Sequence, residues 1–311
     1  MKHARVSVII PAYRAASTIR RAVDSVLAQT TAAYEIIVVD DGSPDDLADI
    51  VERYPSPVKL LRIANAKTAQ ARNVGIENAE GDFVAFLDAD DHWHPQKLEK
   101  QLAVFARHPE VGAVAGRFYH RELSGRIQES RVRPKWNDHV LVASGSAAFL
   151  LGTMMWTGVV MVRRETLGEQ RFIAGLEPAE DRDLWIRLAA RSAVYLMSEP
   201  LATAVLETDG ISRISISRDC RKMLEVVERH RGLLSPLARR RWLSYIYYRW
   251  GAIELLPGKA LALMLRSFAH WPAPLLGLPA MESCGRLRRT LALCKQLPEI
   301  VSARKASGGA V

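Results

Sequence analysis

Three clusters of carboxylates are the residues in this 311-residue chain best suited to chemistry. The first is Asp88-Ala89-Asp90-Asp91, where three carboxylates within four residues repel one another unless a cation compensates them. Carboxylate oxygens are good ligands for Mg²⁺ or Mn²⁺, and a metal held by two of them keeps open positions that phosphate oxygens can fill. The alternative is a solvated turn in which Asp91 caps a helix.

The second cluster, Glu180-Asp181-Arg182-Asp183, begins a segment with the apolar period of an amphipathic helix. Acidic residues in a first helical turn are favoured by the helix dipole alone, so helix stabilisation is one explanation. The same dipole keeps a carboxylate ionised at neutral pH. An ionised aspartate can act as a general base toward a hydroxyl that is held beside it.

The third cluster, Asp40-Asp41-Gly42-Ser43, follows the apolar run at residues 36–39. Gly42 permits a tight turn, and Ser43 can cap the following helix. A carboxylate at this position can accept hydrogen bonds from a nucleobase N–H or a ribose hydroxyl. Turn and cap chemistry alone is the alternative.

The apolar pattern predicts the elements that position these clusters. Buried strands are expected at residues 6–10, 36–39, 58–63, 83–87, 111–115 and 159–162, with helical patterns between them, and residues 121–143 are expected to be irregular. This alternation predicts a mostly parallel sheet with helices on both faces. Because such sheets bind ligands beyond the carboxyl ends of their strands, the clusters that follow strands should converge at one edge.

The first predicted strand opens onto Pro11-Ala12-Tyr13, and Tyr13 can pack on a nucleobase. Neither a G-x-G-x-x-G motif nor a G-x-x-x-x-G-K-[ST] motif follows this strand. Their absence argues against a dinucleotide-dependent dehydrogenase and against a P-loop NTPase.

The charge of the chain divides unevenly between its two parts. Residues 1–210 carry 25 Lys and Arg against 28 Asp and Glu, whereas residues 211–311 carry 18 against 6, a net of +12. We therefore predict a catalytic domain at 1–211 and a basic helical extension at 212–311. Such asymmetry indicates an anionic partner, and an anionic membrane surface suits the apolar stretches at 255–271 and 287–297. The alternative is that these stretches pack on the catalytic domain and the cations form a solvated face.

The chain lacks a stretch of about 18 apolar residues and the pattern of a signal peptide. Its three cysteines lack metal-site spacing, so free thiols in a reducing compartment are expected. We predict a cytoplasmic protein that can lie peripherally on the inner face of the membrane, and we expect no nucleic-acid partner.

Four motifs in order resemble glycosyltransferase family 2: VSVIIPAY, IIVVDDGS, ARNVGIENAEGDFVAFLDADD and AEDRDLWIRLA. The resemblance covers about residues 4–205 and implies a GT-A fold. It also implies an inverting enzyme that transfers sugar from a nucleoside-diphosphate sugar, with a UDP-sugar favoured, to a hydroxyl of a glycan or lipid-linked acceptor in cell-surface polysaccharide or glycolipid assembly. Processive members carry Q-x-x-R-W. Here Ala238 stands where Gln would precede Arg241-Trp242, which indicates a non-processive enzyme.

The resemblance also assigns roles to the residues of the motifs. In the donor site, Pro11, Tyr13 and Asp41 would line the nucleoside pocket and Asp40 would support their loop. Arg72, or alternatively Lys67, would approach the diphosphate.

The remaining roles concern the metal and the reaction. Asp88 would contact the nucleotide sugar, and Asp90 would contact a divalent metal, Mn²⁺ or Mg²⁺. Asp181 would be the catalytic base, and Glu180 would shape the site beside it.

Two other functions are compatible with this type of fold. A non-catalytic protein that binds sugar nucleotides or glycans would not need Asp88, Asp90 and Asp181 together. A nucleotidyltransferase usually carries a Gly-rich basic loop after its first strand, and residues 11–15 contain no glycine.

Overall fold

The computed structural model describes residues 4–122, 124–130, 136–205, 216–273 and 286–294. The chain divides into two compact units, Met1–Gly210 and Ile211–Val311. Within the described ranges, every strand belongs to the first unit and the second unit is helical.

One sheet runs through the first unit. Its strands are β1 (Val6–Ala12), β2 (Glu35–Asp40), β3 (Val58–Arg62), β4 (Phe83–Phe86), β5 (His92–Trp93), β6 (Val111–Arg121), β7 (Ile127–Glu129), β8 (His139–Leu141), β9 (Met161–Arg163) and β10 (Ala193–Val205). They lie in the order β3-β2-β1-β4-β9-β6-β10-β5, with β7 paired to β6 and β8 paired to β10.

The sheet is parallel in its first half and mixed in its second. Strands β3, β2, β1 and β4 pair in parallel, as do β6 and β10. Strand β9 is antiparallel to both of its neighbours, β4 and β6. The predicted α/β architecture is confirmed, and β9 is the antiparallel strand at its centre.

Helices cover both faces of this sheet. They are α1 (Ile19–Leu27), α2 (Leu47–Val51), α3 (Lys67–Glu77), α4 (Lys97–Arg107), α5 (Gly145–Met154), α6 (Arg164–Leu167) and α7 (Glu180–Ala189). On one face, Val8 and Ile10 of β1 belong to the core that includes α1 and α4, whereas Ile9 faces the core of α3 and α7. Because successive side chains point to opposite faces, a strand covered on both sides is apolar throughout.

The predicted elements and the structure differ at four strands, β5, β7, β8 and β10. Residues 121–143, expected to be irregular, contain β7 and β8, while residues 131–135 lie outside the described ranges. The whole of β7 is exposed, so its sequence lacks the apolar pattern from which a strand is predicted. Its conformation comes from pairing with β6. Strand β10 was not predicted. Pro200 lies within it, and the pairing with β6 shifts register on both sides of that residue.

The second unit consists of helices in its described part. They are α8 (Ile216–Arg229), α9 (Pro236–Ile253), α10 (Pro257–His270) and a helical segment at 286–294. Ser235 caps α9 by accepting the Ala238 N–H at 3.2 Å, and a Cβ on Gly251 would lie 3.0 Å from the Ala260 carbonyl oxygen, so α9 and α10 pack closely. Among the helices described, none combines the length and apolarity that crossing a membrane requires.

Candidate active site

The turn after β2 uses both of its aspartates to hold the backbone. Asp40 is buried, and its Oδ1 accepts the Ser43 N–H at 2.8 Å. The Asp41 carboxylate accepts the Ala66 N–H at 2.7 Å and the Lys67 N–H at 2.8 Å. Asp41 therefore satisfies two backbone donors at the start of α3 and ties that helix to the sheet edge.

A second contact joins the loops after β1 and β2. The Ser43 hydroxyl accepts the Arg14 N–H at 2.9 Å, and α2 begins only at Leu47, so the prediction that Ser43 caps this helix is wrong. Gly42 has φ +71°, and a Cβ there would lie 3.0 Å from the Asn65 nitrogen. The predicted tight turn is present, and it requires glycine.

The predicted nucleoside-binding residues of the β1 loop differ in exposure. Pro11 is buried within β1, whereas Tyr13 is 41% exposed. The Arg14 guanidinium carbon lies 5.4 Å from the centre of the Tyr13 ring. Tyr13 thus offers an accessible ring at the carboxyl end of β1, whereas Pro11 is part of the buried strand that precedes the loop.

Two cations were predicted to approach a diphosphate, and they occupy different environments. The side chain of Lys67 is exposed, and its backbone has φ +72°, a left-handed conformation that costs a non-glycine residue roughly 1–2 kcal/mol. The hydrogen bond from its N–H to Asp41 helps to hold that conformation. Arg72, in contrast, is buried within α3.

Arg72 links three elements that are distant in sequence. Its Nη1 donates to Oε1 of Glu180 at 2.8 Å, and its Nη2 donates to Oδ1 of Asp88 at 2.7 Å. The guanidinium carbon lies 5.2 Å from the centre of the Phe172 ring. Burial acts to lower the pKa of Arg72, but the charges of Asp88 and Glu180 outweigh it, so the pKa is raised above its ordinary value. Arg72 is therefore a fixed charge between α3, the loop after β4 and the start of α7.

The carboxylate of Glu180 is only partly compensated by this arginine. Glu180 is 5% exposed, and burial raises its pKa to about 7, with Arg72 opposing and Asp181 reinforcing the shift. Its Oε2 has no hydrogen-bond partner in the described part of the chain, and the same holds for both oxygens of the buried Glu177. The start of α7 is thus an acidic and desolvated region.

Asp181, the predicted base, is half-buried and held from both sides. Its Oδ1 accepts the Arg182 N–H at 2.7 Å, and its Oδ2 accepts a hydrogen bond of 3.2 Å from the Thr157 hydroxyl. The same hydroxyl accepts the indole N–H of Trp185 at 3.1 Å. Each carboxylate oxygen keeps capacity for a further donor.

The acidic run after β4 is not a solvated turn. Asp91 is buried and accepts the Val205 N–H at 2.8 Å, and α4 begins only at Lys97, so Asp91 caps no helix. Burial raises the pKa of Asp91 well above its ordinary value, and the charges of Asp90 and Asp88 add to the shift. The run is therefore a set of carboxylates that repel one another.

The two partly exposed carboxylates of this run suit a divalent cation. The Asp88 side chain is 28% exposed, and its contact with Arg72 uses Oδ1 and not Oδ2. Asp90 is also partly exposed. A cation would relieve the repulsion that acts on Asp91. No group of three or more His, Cys, Asp or Glu side chains in the described ranges could by itself hold a metal ion. The donor set therefore fits a metal that shares its coordination with a bound ligand.

Sequence reasoning missed several residues that hold the site together. Thr157, in a short 3₁₀ turn (Thr157–Val159), contacts Asp181, and the guanidinium of Arg21 on α1 donates to the Asp90 carbonyl oxygen. Phe172 lies against Arg72. None of these residues belongs to a chemical motif, and only their contacts reveal them.

A mixed sheet of this kind, with an acidic run at the end of a central strand, defines a GT-A-type domain. S. aureus TarS 1-349 in complex with UDP-GlcNAc superimposes with a TM-score of 0.62 at 20% identity, covering 86% of this chain and 81% of that one. The mannosyltransferase PcManGT from Pyrobaculum calidifontis, in complex with GDP-Man and Mn²⁺, gives a TM-score of 0.62 at 19% identity, with 96% and 81% covered. At these identities the likeness shows the fold.

The sequence comparison identifies the family. The model of glycosyl transferase family 2 matches residues 7–167, slightly more than half of the chain. The chain belongs to this family. The amylovoran biosynthesis glycosyltransferase AmsB of Erwinia amylovora is 34% identical over 216 residues, which are 65% of this chain and 70% of AmsB. Among four curated relatives, the matched part ranges from 35% to 81% of the relative's length.

Proposed function

We propose that this chain is an inverting, metal-dependent glycosyltransferase that moves one sugar from a nucleoside-diphosphate sugar to an acceptor hydroxyl. The observation that carries the proposal is the pair of contacts from Arg72 to Asp88 and Glu180, with Asp181 adjacent in sequence. These contacts join the start of α7, which carries the expected base, to the carboxylate expected to contact the donor. Family membership and neighbours bound to UDP-GlcNAc or GDP-Man support a nucleotide sugar, and we expect a UDP-sugar.

The loops after β1 and β2 would receive the nucleoside. Tyr13 offers an exposed ring for the base, and Asp41 keeps lone pairs for a base N–H or ribose hydroxyl beyond its two backbone contacts. Pro11 and Asp40 would support these loops. Lys67 is the exposed cation at the start of α3, so it would reach the diphosphate more readily than the buried Arg72.

Asp181 would act as the general base in a single displacement. The acceptor oxygen attacks C1 of the donor sugar as its proton passes to Asp181, and the bond between C1 and the phosphate oxygen breaks. The bonding pair leaves with the nucleoside diphosphate, and attack from the opposite side inverts the anomeric centre. Arg72 would hold the Asp88 carboxylate in position, and Glu180 would hold Arg72.

Asp90 and Asp88 would hold Mn²⁺ or Mg²⁺. Such a metal supplies positive charge where negative charge develops on the diphosphate leaving group. The repulsion among the carboxylates after β4 supports this assignment, and PcManGT was solved with Mn²⁺.

The acceptor would be a glycan or a lipid-linked glycan in the assembly of a cell-surface polysaccharide or glycolipid. AmsB, whose name places it in amylovoran biosynthesis, supports a role in polysaccharide assembly.

The second unit would hold the enzyme at an anionic membrane on the cytoplasmic side. Leu255 and Leu256, between α9 and α10, are 92% and 64% exposed, and Leu287 and Leu291 are exposed one helical turn apart. Residues 211–311 carry 18 Lys and Arg against 6 Asp and Glu. Exposed leucines beside an excess of cations suit a surface of anionic lipids, where each cation contributes about 1 kcal/mol. Of the apolar stretch at 287–297, residues 295–297 lie outside the described ranges.

The test of the proposed reaction is release of nucleoside diphosphate from a panel of nucleotide sugars, with Mn²⁺ or with chelator. We expect metal-dependent release from one donor, fastest for a UDP-sugar. With water as acceptor and an α-linked donor, NMR during the first minutes should show the β-anomer of the free sugar.

Other outcomes would favour the rival functions. Tight binding without turnover of any donor would indicate a binding protein. Pyrophosphate release from a nucleoside triphosphate would indicate a nucleotidyltransferase. Initial release of the α-anomer would refute inversion.

A further inference from the structure

We infer that Thr157 is a positioning residue that orients the carboxylate of Asp181 for proton transfer, an inference that rests on the proposed function. Thr157 is 1% exposed, and its hydroxyl lies 3.2 Å from Oδ2 of Asp181. The other oxygen, Oδ1, accepts the Arg182 N–H at 2.7 Å. Two donors from different directions fix the plane of the carboxylate, and each oxygen keeps lone pairs for an incoming hydroxyl.

The direction of the hydrogen bond from Thr157 is set by Trp185. An indole N–H can only donate, and that of Trp185 lies 3.1 Å from the Thr157 oxygen. The hydroxyl therefore accepts from Trp185 and directs its one proton to Asp181. Trp185 is fully buried on α7, the helix that also carries Asp181, so this chain of hydrogen bonds returns to the same helix.

Side chains from β5 and α4 hold the backbone around Thr157 by hydrogen bonds. The Trp93 indole N–H donates to the Gly158 carbonyl at 2.8 Å, and the Gln101 amide donates to the Val159 carbonyl at 2.8 Å. A Cβ on Gly158 would lie 2.5 Å from the Trp156 ring, so the turn packs against that ring. Trp93 lies two residues after Asp91. The same turn thus connects the segment that follows the proposed metal-binding carboxylates to the proposed base.

This arrangement predicts a loss of rate when the hydroxyl is removed. The carboxylate loses one of its two fixed contacts, and misplacement of a reacting group by about 1 Å can cost up to about a hundredfold in rate. The loss should appear in kcat rather than in the donor KM, because the contact orients the base and not the donor.

The experiment compares Thr157→Val and Thr157→Ser with wild type, using the donor that wild type turns over and Mn²⁺. Thr157→Val has nearly the same shape but no hydroxyl, and we expect kcat to fall roughly ten- to a hundredfold with the donor KM little changed. Thr157→Ser, which keeps the hydroxyl, should recover most of the loss in kcat. Thr153→Val is the matched control, because the Thr153 hydroxyl donates to the Leu150 carbonyl within α5.

Thermal melting and circular dichroism report whether each variant folds. If Thr157→Val does not fold, Trp185→Phe removes the indole N–H that sets the direction of the Thr157 hydrogen bond and should lower kcat by a smaller factor. A wild-type kcat in Thr157→Val overturns the inference. A fall in kcat that is equal in the Ser variant assigns Thr157 a packing role and also overturns it. If wild type releases no nucleoside diphosphate from any donor, the proposed function fails and the inference falls with it.

Discussion

Substitution of Glu180 by glutamine should stabilise the protein at neutral and alkaline pH. Burial raises the pKa of this carboxyl from 4.5 to about 7. The unfolded chain therefore releases the proton near pH 4.5, whereas the folded chain retains it until about pH 7. Between these values the folded state binds more protons, so stability falls as pH rises and the loss is complete above pH 7.

The size of this effect follows from the two pKa values. Each unit of difference corresponds to about 1.4 kcal/mol, so the interval from 4.5 to about 7 amounts to about 3 kcal/mol at pH 8. At pH 5 the same group contributes under about 1 kcal/mol. Glutamine keeps the shape of the neutral carboxyl and can still accept from Arg72. Glu180→Gln should therefore resemble wild type at pH 5 and exceed its free energy of unfolding by about 3 kcal/mol at pH 8.

Urea denaturation at several pH values between 5 and 8 measures this difference. The control is Glu165→Gln, which alters an exposed carboxylate on α6 and should leave the pH dependence of unfolding unchanged. If Glu180→Gln is equally or less stable than wild type at pH 8, the carboxyl ionises in the folded state without cost. The argument that burial dominates over the contact with Arg72 would then be wrong.

Three further outcomes test the site and the second unit. Asp181→Asn should lower turnover at least about a hundredfold while calorimetry shows donor binding retained, and a loss of only a few-fold would assign the base elsewhere. Asp90→Ala should remove turnover without lowering the melting temperature, because it relieves repulsion among the carboxylates after β4, whereas activity that persists in chelator would refute metal dependence. Leu255→Gln combined with Leu256→Gln should reduce sedimentation with anionic liposomes about tenfold or more, and Leu27→Gln, an exposed leucine of the first unit, should not.

Local sequence specifies the strands β1 to β4 and indicates most of the candidate site residues. Val6–Ala12 and Glu35–Asp40 are apolar almost throughout because both faces of the sheet are covered, so their strands are predictable without contacts. The turn at Gly42 is predictable because few other residues adopt its backbone. The acidic runs after β4 and at the start of α7 can also be recognised in the sequence. Charges repeated at close spacing repel one another and need a compensating partner.

Only the tertiary structure decided which strands pair and which site residues contact one another. Strand β10 owes its conformation to pairing with β6 across many residues of chain, and the exposed strand β7 owes its conformation to a short hairpin with the end of β6. Arg72 contacts Asp88 and Glu180, which is 108 residues away, and Thr157 reaches Asp181 from another segment. Such contacts depend on packing between elements rather than on residue type. The sequence therefore indicates which groups can do chemistry, and only the fold determines which of them face one another.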